Sequence, residues 1–285
     1  PLREGQLLDL LAGEGFDGIL CGDDGISDRV IDAAMPRLKV ISKFGVNVDS
    51  IDVAHATSRG VPVLHTPHVN HTAVAEHVFS LLLALSRHMW PHLRSTKEGT
   101  WKRVTGTELA DKRLALIGLG WVGKAVARRA VAFDMHVVAY DPAWDADFAT
   151  THGVGRLPSA DAALASADVV SLHAKVNFEN MYWLDRTRLA KLKRGALVIN
   201  TANPRLVDEG AVALACKSGH LGGYATDVLN AEPPSTHHPF FGIDNILVTP
   251  HVATRTIETV ERQGMLAVRN LVNYLTGDPE VIRAS

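Results

Sequence analysis

The sequence predicts an α/β protein built on parallel sheets, and three features lead there. Short apolar runs that read as strands recur at 18–21, 38–43, 62–64, 114–117, 136–140, 169–172, 196–200, 223–228 and 246–248. Stretches with helical spacing of apolar residues lie among them, at 27–34, 51–59, 72–89, 122–133 and 255–275. A turn holding three glycines joins the run at 114–117 to the helical stretch at 122–133. Strands that alternate with helices form right-handed βαβ crossovers, and such crossovers make parallel sheets.

In chain order, the first 69 residues hold three short strands with helices between them, one α/β unit. A long amphipathic helix is expected over 72–89, with Val74, Val78, Leu81, Leu82 and Leu85 on one stripe and Pro91 ending it. A second α/β series runs from 114 to 248, and an amphipathic helix with no strand after it closes the chain.

The 285 residues include 29 basic and 31 acidic side chains, a formal charge of −2, so no basic excess points to nucleic acid or an anionic membrane as partner. Hydrophobic residues make up 46% and charged ones 21%, a balance that buries a core and excludes disorder. At roughly 150 residues per domain the length suggests two domains. Cys21 and Cys216 are too few for a disulfide scaffold, and no apolar run reaches the ~18 residues of a membrane-spanning helix. The chain opens on Pro1 without the pattern of a secretory leader, so a cytoplasmic enzyme is expected.

The sharpest local motif is Gly118-Leu119-Gly120-Trp121-Val122-Gly123, between a strand and a helix. The first glycine permits the tight turn, the second lets backbone approach a pyrophosphate, and the third brings helix and strand together. Unpaired amides at the helix start then bind the diphosphate. Asp141 stands 23 residues after Gly118, close to the position of a carboxylate that accepts from ribose hydroxyls. A carboxylate there repels a 2′-phosphate, which favours NAD over NADP.

With those residues in view, the sequence resembles the D-isomer-specific 2-hydroxyacid dehydrogenase family along nearly its whole length. The likeness is carried by 43–49 (KFGVNVD), Thr66-Pro67, Asn70, Val74-Ala75-Glu76-His77, Gly99-Thr100-Trp101 and Gly106-Thr107-Glu108-Leu109. It continues through the glycine turn, Tyr140-Asp141-Pro142, Asn200-Thr201-Ala202, Val207-Asp208-Glu209, Asp227-Val228, Glu232-Pro233 and Thr249-Pro250-His251. The resemblance implies two doubly wound domains with the active site in the cleft. A Rossmann NAD-binding domain over 70–250 would be inserted in a flavodoxin-like substrate domain made of 1–69 and 251–285. The family places a strand and helix ahead of the point where Pro1 falls, so the substrate domain is expected to lack that strand. Family members commonly form homodimers through the cofactor domain.

Hydride transfer to a carbonyl carbon needs a proton donor for the oxygen and a group that polarises it. By resemblance, His251 is the donor and Glu232 its partner carboxylate, which favours the imidazolium and fixes the tautomer. The resemblance also implies cofactor contacts from Gly118, Gly120, Trp121, Val122, Gly123, Asp141, Pro142, His173, Ala174, Thr201, Ala202 and Asp227. A small anionic substrate would meet Gly45, Val46 and Asn47 in the 44–48 loop, and Asn70.

The third catalytic position departs from the family. Its usual Asn-Thr-Ala-Arg-Gly-Gly reads Asn200-Thr201-Ala202-Asn203-Pro204-Arg205, which puts Asn203 where an arginine grips the substrate. An amide donates hydrogen bonds but gives no bidentate, charge-assisted grip. Three readings stand open: Arg205 supplies the cation; the substrate differs and Lys175, where the family has proline, takes over; or the chain binds cofactor without turnover. The leading function is an NAD-dependent oxidoreductase acting on a small 2-hydroxy or 2-keto acid, and the alternative is an NAD-binding regulatory protein on the same fold.

Tyr182 and Trp183 are expected to pack rather than wall a site, and the His237-His238 pair to lie on a loop surface. His65, His68 and His71 recur at three-residue intervals, but Pro67 denies them a helical face and no cysteine or carboxylate trio accompanies them, so no metal is expected.

Overall fold

A computed structural model describes residues 2–13 and 15–284. In chain order the elements are α1 (Glu4–Gly13), β1 (Gly18–Cys21), α2 (Asp28–Ala34), β2 (Val40–Lys43), α3 (Val53–Ser58), β3 (Val63–Leu64), α4 (His71–Ser86) and α5 (Met89–Lys97). They continue as β4 (Arg113–Ile117), α6 (Trp121–Ala132), β5 (His136–Tyr140), α7 (Ala146–His152), β6 (Gly155–Arg156), β7 (Val169–Leu172) and α8 (Arg186–Leu189). The last are β8 (Leu197–Asn200), α9 (Glu209–Lys217), β9 (Gly223–Thr226), β10 (Ile246–Val248) and α10 (Ile257–Thr276). Two compact units result, Pro1–Asn70 with Arg255–Ser285, and His71–Thr254.

The smaller unit holds a parallel sheet in the order β1-β2-β3. Its core is the apolar residues of that sheet with Val30, Ile31 and Ala34 of α2. Helix α10 lies so close to β1 that a Cβ on Gly18 would stand 2.8 Å from the Leu271 side chain. The Ser42 hydroxyl donates to the Ala267 carbonyl at 2.8 Å, tying β2 to the same helix. Thr256 caps α10 through its side chain, and Gly277 ends it in the left-handed region at φ 82°.

The larger unit is a seven-stranded parallel sheet in the order β10-β9-β8-β7-β4-β5-β6. Successive side chains of β4 point to opposite faces. Leu114 and Leu116 pack with Val78, Leu82 and Leu85 of α4 and with Val126 and Ala130 of α6, whereas Ala115 and Ile117 pack with Leu189 of α8 and Val212 of α9. Both faces are covered, which is why the middles of β8 and β9 are apolar instead of alternating.

The helix expected over 72–89 ends at Ser86, and His88 takes the left-handed conformation at φ 48°. Pro91 therefore does not stop it. It sits in the first turn of α5, where backbone N–H groups have no intrahelical acceptor and a missing one costs nothing. The two-residue strand β6 was not expected, because two residues carry no periodicity. Among the described residues no helix is long and apolar enough to cross a membrane.

Leu116 is fully buried at the centre of the larger sheet. Leu116→Ala is expected to lower the unfolding free energy by about 2–5 kcal/mol, read by chemical denaturation.

Candidate active site

The strand order reverses between β4 and β7, the position in an open parallel sheet where ligands bind beyond the strands' carboxyl ends. Register lines those ends up: Tyr140, Ile117, Leu172, Asn200, Thr226 and Val248 are successive partners across the sheet. The residues that follow each strand are therefore Asp141, Gly118, His173, Thr201, Asp227 and Thr249, along one edge.

Gly118 has φ 105°, and a Cβ there would lie 2.6 Å from the His173 carbonyl carbon and 2.8 Å from the Ala174 nitrogen. A Cβ on Gly123 would lie 2.2 Å from the Gly118 carbonyl oxygen. These two glycines permit backbone contact at the reversal point. Gly120 differs: it caps α6, and a Cβ on it would meet nothing within 4 Å, so the space beyond the helix start is open to a ligand. Trp121, 57% exposed, lies beside His71 with ring centroids 5.6 Å apart, and Val122 follows half-buried in the first turn. The Asp141 carboxylate accepts from the Leu119 amide at 2.6 Å and the Ala143 amide at 2.8 Å, so it braces the turn across Pro142. The Thr201 hydroxyl is buried and has no hydrogen-bond partner within the described protein. An open helix start, a braced carboxylate and a buried hydroxyl awaiting a partner together fit a dinucleotide.

His173 donates or accepts at 2.9 Å with the Ser171 hydroxyl, and burial pushes its pKa down to about 4. It is neutral at pH 7, at the carboxyl end of β7.

Three features meet at His251. Its Nδ1 is 2.8 Å from the Glu232 Oε2, its side chain is 61% exposed, and its backbone has φ 53°, left-handed for a residue with a Cβ. Such a conformation costs on the order of 1–3 kcal/mol and must be imposed by its surroundings. The imposition comes from Asp227, whose side chain is 1% exposed. One oxygen accepts from the Val252 amide at 2.9 Å and the Thr249 hydroxyl at 2.5 Å, and the other from the Ala253 amide at 2.8 Å. Burial raises the Asp227 pKa, but the bonds from His77, Thr249, Val252 and Ala253 outweigh it and hold the carboxyl below the usual range. Glu232 is itself steadied, its second oxygen accepting from the Leu229 amide at 2.9 Å. The sequence reading placed Asp227 against the cofactor and gave His77 no role; their separation of 150 positions leaves no local pattern to read.

Asn200, fully buried, organises the next loop by donating to the Asn203 carbonyl at 2.9 Å and accepting from the Ala202 amide at 3.1 Å. Asn203 Oδ1 accepts from the Arg205 amide at 2.9 Å, capping a 3-10 turn over Pro204–Leu206 and leaving its NH₂ group as the donor. The Arg205 carbonyl accepts from the Tyr182 amide at 2.6 Å and the Leu206 carbonyl from the Leu184 amide at 2.9 Å. The backbone at Arg205 is thus pinned, and only its exposed side chain is free to reach. Lys175 is exposed on the segment after β7, where its carbonyl accepts from the Asn180 side chain at 2.7 Å.

In the smaller unit, the Phe44 amide donates to the Cys21 carbonyl and the Gly45 amide to the Thr66 hydroxyl, so neither is available to an anion. Of the expected substrate loop, Val46 and Asn47 remain, with Asn47 exposed; Asn70 is half-buried. Trp183 packs in the core, and Tyr182 is exposed at φ 53°. His238 is not on the surface: its side chain is 8% exposed, 3.4 Å from Glu209 and against the rings of Phe240 and Phe241. Adjacent histidines on a loop point to different surroundings, and a carboxylate drew this one inward. Among the described residues no three His, Cys, Asp or Glu side chains gather as metal ligands.

Residues 79–253 match the family model described as D-isomer specific 2-hydroxyacid dehydrogenase, NAD binding domain. The chain is 38% identical over 269 residues to a glyoxylate reductase of Thermofilum pendens, covering 92% of this chain and 79% of that protein. It is 40% identical over 266 residues to a D-3-phosphoglycerate dehydrogenase of Archaeoglobus fulgidus, covering 93% of this chain but 50% of that longer protein. A crystal structure of a Thermus thermophilus protein matches with a TM-score of 0.92 at 35% identity, over 100% of this chain and 90% of that one. D-Lactate dehydrogenase of Aquifex aeolicus, solved with NAD and lactic acid, matches with a TM-score of 0.84 at 28% identity, over 96% and 86%. The relatives from Thermofilum, Archaeoglobus and Aquifex are named as a reductase and two dehydrogenases, and nothing in them supports a binding-only protein. The chain belongs to the D-isomer-specific 2-hydroxyacid dehydrogenase family and carries its NAD-binding domain.

Proposed function

We propose that this chain interconverts a small 2-keto acid and its 2-hydroxy acid, with His251 carrying the proton and Asn203 donating to the reacting oxygen. The observation that carries this reading is the 2.8 Å contact between His251 Nδ1 and Glu232, made from a backbone held in an otherwise costly conformation. With Nδ1–H given to the carboxylate, Nε2 is the atom that delivers a proton to the substrate oxygen or receives one from it. The dinucleotide, when bound, supplies or accepts the hydride. The α6 amides, Thr201 and Asp141 bind it, and the neutral His173 lines its site. Asn203 gives the oxygen one uncharged donor, and Arg205 or Lys175 completes recognition of the acid's charge.

The chain acts as a homodimer through the NAD-binding unit. Met89, Trp90 and Leu93 of α5, with Trp101 beyond it, expose apolar surface of the kind that subunit contacts cover. Cys21 and Cys216 are free and buried, which fits a cytoplasmic location.

Two outcomes test the site. Gly123→Ala drives a methyl group into the Gly118 carbonyl and is expected to weaken NADH binding at least tenfold by calorimetry, since the helix start must move. NADH oxidation with glyoxylate, hydroxypyruvate and pyruvate is expected to show turnover that falls by about 10²–10⁴ in His251→Asn. Absence of turnover with every acid, while NADH still binds, overturns the catalytic reading. Asn203→Arg adds a charge-assisted fork and is expected to raise kcat/KM for glyoxylate on the order of 100-fold.

A further inference from the structure

Among the side chains beneath His251, His77 is one that the proposed chemistry leaves without a task. It projects from α4 at the border of the buried stripe formed by Val74, Val78 and Leu81, and its side chain is 19% exposed. Its Nε2 lies 2.9 Å from the Thr249 hydroxyl and 3.4 Å from Asp227 Oδ1. A polar ring so placed needs partners, and these partners belong to the frame of His251.

Proton accounting fixes the direction of the bonds. The Asp227 carboxylate only accepts, so the Thr249 hydroxyl gives its hydrogen to Asp227 Oδ1 at 2.5 Å. Thr249 Oγ1 then accepts from His77, whose Nε2 must carry the hydrogen. The chain of donation runs from His77 through Thr249 to Asp227, and bonds in such a chain strengthen one another. Asp227 in turn holds the Val252 and Ala253 amides, while the His251 amide donates to the Thr249 carbonyl at 3.0 Å. The left-handed turn at His251 is therefore held on one side by the Thr249 carbonyl and on the other by Asp227, the carboxylate to which the His77–Thr249 chain donates.

We infer that His77 is a positioning residue for proton transfer at His251, acting through Thr249 and Asp227. The inference rests on His251 as the proton carrier. Removing the His77 donor leaves Thr249 Oγ1 without its incoming hydrogen bond, weakens the bond that Thr249 gives to Asp227, and takes away a polar neighbour 3.4 Å from the buried carboxylate. The imidazole then leaves the geometry that the reaction needs, while the dinucleotide-binding turn, made by other residues, is unaffected.

The experiment compares His77→Ala, His77→Gln and the unaltered protein. Glutamine places an Nε2–H donor near that of the histidine. His77→Ala is expected to lower kcat for glyoxylate reduction on the order of 100-fold. KM and the NADH Kd by calorimetry are expected to stay within about twofold, and His77→Gln to recover most of the loss. A kcat for His77→Ala within about twofold of the unaltered protein overturns the inference, as does a parallel loss of NADH binding or a glutamine variant as slow as alanine. A crystal structure of each variant reads positioning without turnover. The contact of His251 Nδ1 with Glu232 is expected to be lost in alanine and kept at about the present 2.8 Å in glutamine. Should the unaltered protein reduce no 2-keto acid, the proposed function fails and that contact alone decides: its loss in alanine supports the inference, and its retention overturns it.

Discussion

The constraint on which the site depends is the in-line ending of the larger unit's parallel strands. A parallel sheet covered on both faces has no surface on which to place chemistry except at its strand ends. Six successive strand partners finish in one row, from Tyr140 to Val248, and the residue after each falls on a common edge. Segments far apart in the chain thereby deliver a helix start, a braced carboxylate, a buried hydroxyl and an imidazole to one place. The buried apolar middles hold the row, so a slip of one residue in any strand would turn its apolar set to the wrong face and move its functional residue off the edge.

Environment then sets the histidines apart from one another. His173, beside the Ser171 hydroxyl, has its pKa pushed down to about 4 by burial and stays neutral. His251 is exposed and rests on Glu232, Nδ1 to Oε2 at 2.8 Å. His77 lies between these extremes, at the rim of the core with a hydroxyl and a carboxylate before it. One residue type thus stands in three different environments.

The glycine turn is legible in the sequence because its glycines answer backbone demands: Gly118 needs a positive φ, and Gly123 has no room for a Cβ. Strand positions are legible from apolar runs, and the structure trims them at the ends, as at 40–43 within the expected 38–43. His251 and Glu232 are read only through family resemblance, since a histidine after a proline has no local signature. The brace joining His77, Asp227 and Thr249 spans 172 residues in sequence and exists only once the sheet has formed. Pro91 misleads because its effect depends on whether it falls within a helix or in a first turn. His238 misleads because the carboxylate that draws it inward, Glu209, belongs to another element.

A carboxylate as buried as Asp227 is unfavourable unless donors surround it, and removing one partner of such a group is more disruptive than replacing the whole set with apolar residues. An apolar side chain would fill the space at Asp227 but would hold neither the Val252 nor the Ala253 amide, and the chain at His251 would be free to relax from φ 53°. The buried charge therefore selects one backbone path. Its titration suits that task. Burial raises the Asp227 pKa and the surrounding donors lower it further, so the folded value lies below the unfolded one. A group with that sign contributes its stability above the ordinary carboxylate range and loses it only as pH falls through the folded value. Across the neutral range the carboxylate that frames His251 therefore stays ionised, and the frame keeps its hydrogen bonds.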